Sequence, residues 1–148
     1  MTARALDPFD VMRATRALAP RDPRLNDLRW LIGEALRRAH ARAQTGLGAV
    51  DPARPPSPEP SGRGASEAAA KRLDATEKLA HGGARRPAAW PVLMRVVIEG
   101  RDLRDCRDLV PDVVTPWRCD AVLADRLRCA LDVIGPPLGV TGPRAARG

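Results

Sequence analysis

PVLMRVVIEGRDLRDCRDLVPDVVTPWRCDAVLADRLRCALDVI, residues 91 to 134, holds two strongly amphipathic segments and a short third between clear stop signals. Pro91 to Ile98 is apolar and is ended by Gly100, and Asp102 to Val110 is short and charged, carrying Leu103, Cys106, Leu109 and Val110. After a break at Pro111-Asp112-Val113-Val114, Thr115 stands at an N-cap position and Pro116 at a first helical position. The periodic run continues to Ile134, and Gly135 and Pro136 follow, which completes the start and stop signals of a helix. On a helical wheel Cys119, Val122, Leu123, Leu127, Ala130, Leu131 and Ile134 share one broad face, with Arg118, Ala121, Asp125, Arg128 and Asp132 opposite. A short helix, a turn and a longer helix, preceded by an apolar helix that packs across both, is the outline of a helix-turn-helix unit. A plain three-helix packing unit without a DNA site has the same pattern.

The rest of the composition agrees with helices. Among 148 residues there are one Phe, three Trp and no Tyr, so the core must be made of Leu, Val, Ile and Ala. Abundant Ala, Leu and Arg with little β-branched alternation favours helix over strand. The expected fold is therefore all-α, about five helices with a helix-turn-helix-like C-terminal unit and a disordered Pro-rich linker.

The net charge of +7 points towards phosphate, but its distribution qualifies this. Residues 1–50 carry +4, 51–86 carry +2, 87–135 carry −1 and the tail +2. Backbone contacts to a nucleic acid are thus expected more from the N-terminal half than from the last helix. Cys106, Cys119 and Cys129 are an odd set with no C-x-x-C spacing, far in sequence from His40 and His81, so no metal site and no cofactor is expected. Cys106 and Cys119 read as small buried apolar residues in a reducing compartment. With no apolar leader and no run near the ~20 residues of a membrane span, the expectation is a cytoplasmic protein without membrane contact.

In chain order, Asp7-Pro8 opens a short segment in which Phe9, Met12, Ala17 and Leu18 form a weak apolar stripe before Pro20. Asp22-Pro23 starts a long helix to about Gln44, with Leu25, Leu28, Ile32 and Leu36 on one stripe and Glu34 set to pair with Arg38. Trp30 lies off that stripe, either covered by the N-terminal segment or exposed as an anchor for a partner protein. Arg24, Arg38 and Arg42 form a separate basic edge. The Pro-, Gly- and Ser-rich stretch 46–65 reads as a disordered linker, and Ser66 as the cap of an Ala-rich helix that Gly82-Gly83 closes. The expected organisation is N-terminal helices over 1–45, linker 46–65, a C-terminal helical unit over 66–135 and a flexible tail 136–148. The two long helices are expected to share one core, with Leu25, Leu28, Ile32 and Leu36 against Leu93, Val97, Leu123, Leu127 and Leu131.

No phosphate loop, nucleophile elbow or His beside a Ser or Cys is present, and Asp102, Asp105 and Asp108 alternate with Arg101, Arg104 and Arg107 as a solvated ion-pair face. The protein is not expected to be an enzyme.

Several blocks in order carry a family resemblance: Asp7-Pro8-Phe9-Asp10-Val11-Met12, Ile32-Gly33-Glu34-Ala35-Leu36-Arg37-Arg38-Ala39, the Ala-rich helix around Arg72, Leu93 to Gly100, and Ala124 to Asp132. Spanning most of residues 7–135, they resemble a small helical domain of alphaproteobacterial phage-type regulators, including regulators of gene transfer agents, where it accompanies a helix-turn-helix. The resemblance implies a role in transcription. The longer members carry a separate N-terminal DNA-binding domain, which these 148 residues do not include. Two functions follow. One is a DNA-binding or transcription-associated regulator in which Arg118, Arg126 and Arg128 lie on or near the helix offered to double-stranded DNA and Arg24, Arg38 and Arg42 hold its backbone. The other is a helical interaction module without its own DNA site, whose partner is a protein such as a polymerase subunit or a DNA-bound regulator.

Overall fold

Asp7 and Asp22 each precede a proline, and each opens a helix by taking up N–H groups that a first turn leaves without partners. In the computed structural model, which describes residues 7–48 and 62–141, Asp7 Oδ1 accepts from the Phe9 N–H at 3.1 Å ahead of α1 (Pro8–Ala14). Asp22 Oδ1 accepts from the N–H groups of Arg24 and Leu25 at 3.1 and 3.2 Å ahead of α2 (Pro23–Gly48). The end of α1 is a left-handed cap: Arg16 has φ 60°, and the Ala17 N–H reaches back to the Met12 carbonyl at 2.8 Å. Then come α3 (Gly62–Arg85) and α4 (Trp90–Leu93), which continues into a π-helical turn (Met94–Ile98). A 3-10 helix (Leu103–Leu109) and α5 (Pro116–Ile134) complete the order. Among the described residues there is no strand, and the fold is all-α.

The boundaries of α5 fall where the sequence places them, although the Thr115 side chain makes no capping hydrogen bond. Three other boundaries move. α2 continues past Gln44 to Gly48, and α3 begins at Gly62, ahead of Ser66, so both ends of the expected linker 46–65 are helical. Propagation of an existing helix adds one hydrogen bond per residue fixed, which carries each helix into Gly-containing sequence. Linker residues 49–61 and tail residues 142–148 lie outside the described residues. At its other end α3 passes through Gly82-Gly83 to Arg85. Gly82 is buried, and a Cβ there would lie 2.6 Å from the Trp90 ring and 2.8 Å from Ile134 Cδ1. This glycine therefore admits a neighbour and does not stop the helix.

One apolar cluster draws on both the N-terminal and the C-terminal helices, with Leu79 of α3 packed at its edge. From α5 it takes Cys119, Leu123, Leu127, Ala130, Leu131 and Ile134, and from α4 and the π turn Val92, Leu93, Val96 and Val97. Val92 and Leu93 belong to α4 and Val96 and Val97 to the π turn, and their spacing of four sets both pairs on one side. Ile32 and Leu36 enter from α2, and Phe9, Met12 and Leu18 from the N-terminal segment. The expected stripe of α2 thus meets α5, with Leu28 at the margin and Leu25 half-buried outside it. Phe9 occupies the space above Gly33, where any Cβ would overlap its ring.

Two substitutions test this core by unfolding in denaturant. Leu127→Ala or Ile32→Ala, at positions 0% and 3% exposed, is expected to cost about 2 to 5 kcal/mol. Gly33→Ala is expected to destabilise by about 1 to 3 kcal/mol through overpacking on Phe9, although alanine ordinarily favours a helix by about 1 kcal/mol.

Candidate functional site

The arginines marked by sequence part company in three dimensions. Arg128 is half-buried, and its Nε and Nη2 donate to the Ala17 carbonyl at 3.0 and 2.6 Å. It pairs with neither Asp125 nor Asp132, although their positions three residues before and four after it on α5 would allow it. Asp132 instead accepts from Arg29 Nε and Nη2 at 2.9 and 2.6 Å, while Arg29 Nη1 donates to the Leu18 carbonyl at 2.6 Å. Glu34 likewise pairs with Arg37, not Arg38; Arg37 Nη1 reaches it at 2.7 Å. The same Arg37 donates through Nε to the Val97 carbonyl at 2.7 Å and through Nη2 to Asp7. Apart from Glu34, which pairs with Arg37 within α2, these carbonyls and carboxylates sit on other segments, so tertiary partners outnumber those that helical spacing offers.

Trp30 joins α1 to α2. Its Nε1–H donates to Asp10 Oδ1 at 2.8 Å, and the Arg13 guanidinium lies 4.0 Å from the ring centre, which covers the ring with the N-terminal segment. Arg24 is exposed on the first turn of α2.

One side of the first turns of α5 is left uncovered by the bundle. Val114 is 91% exposed and Trp117 66%, and Arg118 and Ala121 are exposed beside them. The Arg118 guanidinium lies 5.3 Å from the centre of the Trp117 ring. Val114, Arg118 and Ala121 border a shallow depression of about 470 Å³, completed by Asp112, Val113, Thr115 and Val122. Its walls are fixed. The Cys119 thiol donates to the Val113 carbonyl at 2.9 Å, and Arg107 of the 3-10 helix grips Asp120 with two hydrogen bonds of 2.9 Å. Val114 and Trp117 were not singled out by sequence; an aromatic directly after the Thr115-Pro116 start, on the polar side of the wheel, is the signal that points to it.

Arg38 and Arg42 lie elsewhere, in a cleft of about 280 Å³ between α2 and α3 that Lys71 and Lys78 also line. The two lysines went unremarked because α3 read as a thin Ala face. Arg126 borders a third hollow, of about 260 Å³, with Arg85, Arg86, Asp125 and the exposed Cys129. The six arginines and Trp30 therefore do not form one site. Among the described residues, no group of three or more His, Cys, Asp or Glu is placed to hold a metal, and no helix is long and apolar enough to cross a membrane.

The alternating Arg and Asp residues of 101–108 are not a self-contained ion-pair face. Asp108 accepts from Arg95 of the π turn at 2.6 Å, and Asp120 of α5 holds Arg107, while Arg104 to Asp102 is a looser 3.6 Å. The Arg95 hydrogen bond holds the Asp108 carboxyl below the usual range, and the Arg107 hydrogen bond does the same for Asp120. The same two hydrogen bonds raise Arg95 and Arg107, and burial pushes the Cys106 thiol up.

Compared with protein-family descriptions, curated proteins and solved structures, the chain shows no match.

The two bridges give the 3-10 segment a pH dependence of known sign. A carboxylate with a depressed folded-state pKa contributes stability above its unfolded value, ~3.9 for Asp, and loses it as pH falls through the folded value. Urea unfolding measured from neutral pH downward is expected to show stability falling below that range. Asp120→Asn is expected to be less stable at neutral pH and to show a shallower acid slope.

Proposed function

We propose that this protein is a DNA-associated regulator of transcription whose helix-turn-helix-like unit presents the start of α5 to the major groove. The observation that carries the reading is the exposure of Trp117, Arg118 and Ala121 on the first turns of the helix that follows the turn, while its later turns serve the core. Helix-turn-helix proteins contact base edges with residues at the N-terminus of their second helix. Arg118 has the forked donor geometry that suits guanine, and Val114 and Trp117 offer apolar surface to a thymine methyl. Arg24, Arg38 and Arg42 are assigned to the phosphate backbone, where they add affinity without sequence preference. Arg128 is given a folding role because its donors are engaged by Ala17. The likeness to phage-type regulators supports the transcriptional setting, and three unpaired cysteines suit the cytoplasm.

A second reading rests on the same surface. Val114 and Trp117 form an apolar protrusion beside Arg118, and Trp and Arg are the residues on which protein interfaces most often depend. In that reading the module docks on a polymerase subunit or a DNA-bound regulator, and Trp117 is its anchor in place of the covered Trp30.

Gel-shift titration against random duplex at low salt separates the two readings. A DNA binder is expected to shift duplex at about micromolar concentration, and more weakly as salt rises. Sequences selected from a random pool are then expected to lose their advantage over random duplex in the Arg118→Ala protein, by about 1 to 3 kcal/mol for one base contact. A complete absence of shift favours the interaction module.

A further inference from the structure

Helices α2 and α3 lie against each other through alanines. Ala35, Ala39 and Ala75 are 6%, 2% and 4% exposed, and side chains this short leave a trough open above the contact. Its rims are cationic: Arg38 and Arg42 project from α2, and Lys71 and Lys78 from α3. Among the described lining residues the carboxylate is Asp74, and Lys78 Nζ lies 2.9 Å from it. Leu138, Gly139 and Val140 close one end, where the chain turns back after α5 and Gly139 adopts φ 79°. The cleft is thus a walled recess on three elements.

We propose that this cleft is a binding site for a phosphate group. Cations held near one another repel, and an anion placed among them relieves the repulsion while gaining charge-assisted hydrogen bonds. Arginine matches phosphate oxygens with its forked N–H groups, and lysine supplies a compact charge that adjusts on a flexible stem. The volume of about 280 Å³ falls just below the roughly 300 Å³ where ordinary ligand pockets begin, which suits a small polar anion. Multiple negative charge is favoured over a lone carboxylate because Asp74 is taken by Lys78, which leaves the Arg38 and Lys71 charges facing the recess. Two sources supply such a group, the backbone of a nucleic acid and a free oligophosphate. The site stands on residues remote in sequence from Trp117 and Arg118 and does not depend on how α5 is used.

The test uses the full chain at low ionic strength, with inorganic triphosphate and a short duplex as separate probes. Triphosphate is expected to raise the melting temperature, as any ligand specific for the folded state does. Arg38→Gln/Lys71→Gln, both at exposed positions, is expected to weaken triphosphate by about tenfold or more, in line with lost charge-assisted hydrogen bonds. Arg21→Gln/Arg104→Gln removes the same charge elsewhere and is expected to bind within about twofold of wild type, as screened distant charges predict. Arg118→Ala is expected to keep the triphosphate response even where it loses sequence preference, so failure of the DNA reading and failure of the cleft are separable. If duplex binding also falls selectively in Arg38→Gln/Lys71→Gln, the backbone is the source of the phosphate; if only triphosphate does, the source is a free oligophosphate. Equal weakening by the two charge-matched pairs, or no response to either probe, overturns the proposal.

Discussion

The connection between α1 and α2 buries Leu18 and Ala19, and a buried peptide group must find a partner or cost stability. Asn26, itself buried, meets that demand from α2. Its Oδ1 accepts from the N–H groups of Leu18 and Ala19 at 3.1 and 3.3 Å, and its Nδ2 donates to the Arg13 carbonyl at 2.9 Å. The carbonyls on the same stretch go to Arg29 and Arg128, one from each long helix. This set of hydrogen bonds latches the N-terminal segment across α2 and α5. Only with that segment in place does Phe9 fill the space over Gly33 and close the core.

The latch also shows how differently the basic residues of one chain are used. The chain has 23 arginines, and sequence alone gives no way to sort those that satisfy carbonyls from those that face solvent. Arg128 sits on the polar side of its helix and still points at a backbone oxygen more than a hundred positions away. Arg29 and Arg37, which drew no attention, each tie three acceptors. Arg38, by contrast, is exposed and lines an open cleft. The difference is set by what lies opposite in the folded state, which no local spacing encodes.

Features determined within a few residues were legible. The extent of α5 follows from Thr115-Pro116 and Gly135-Pro136, and the inward face of that helix follows from its period. The shared core of α2 and α5 was readable because no other apolar surface in the chain was large enough to cover either. What escaped depends on contacts between distant segments. Gly82-Gly83 has the look of a terminus, and only the Trp90 ring beside it shows why the helix continues. The π turn has no mark in the sequence beyond the inward Val96 and Val97, which an α-helix also accommodates. The exposed start of α5 needed knowledge of which turns the other helices leave uncovered, and the cleft needed α2 and α3 side by side.

Gly33 under Phe9 and Gly82 under Trp90 are each half of a fitted pair, in which a missing side chain makes room for a ring. Inheritance is constrained accordingly. Neither position of a pair is free to change alone, since a larger residue at 33 collides with the ring from position 9, and a smaller residue at 9 leaves a void over 33. Among descendants of this sequence the two members of each pair should substitute together, although about twenty-four positions separate Phe9 from Gly33 and only about eight separate Gly82 from Trp90. The first coupling would place the N-terminal segment on α2 without any structure in hand, and the second would fold the end of α3 onto the start of α4.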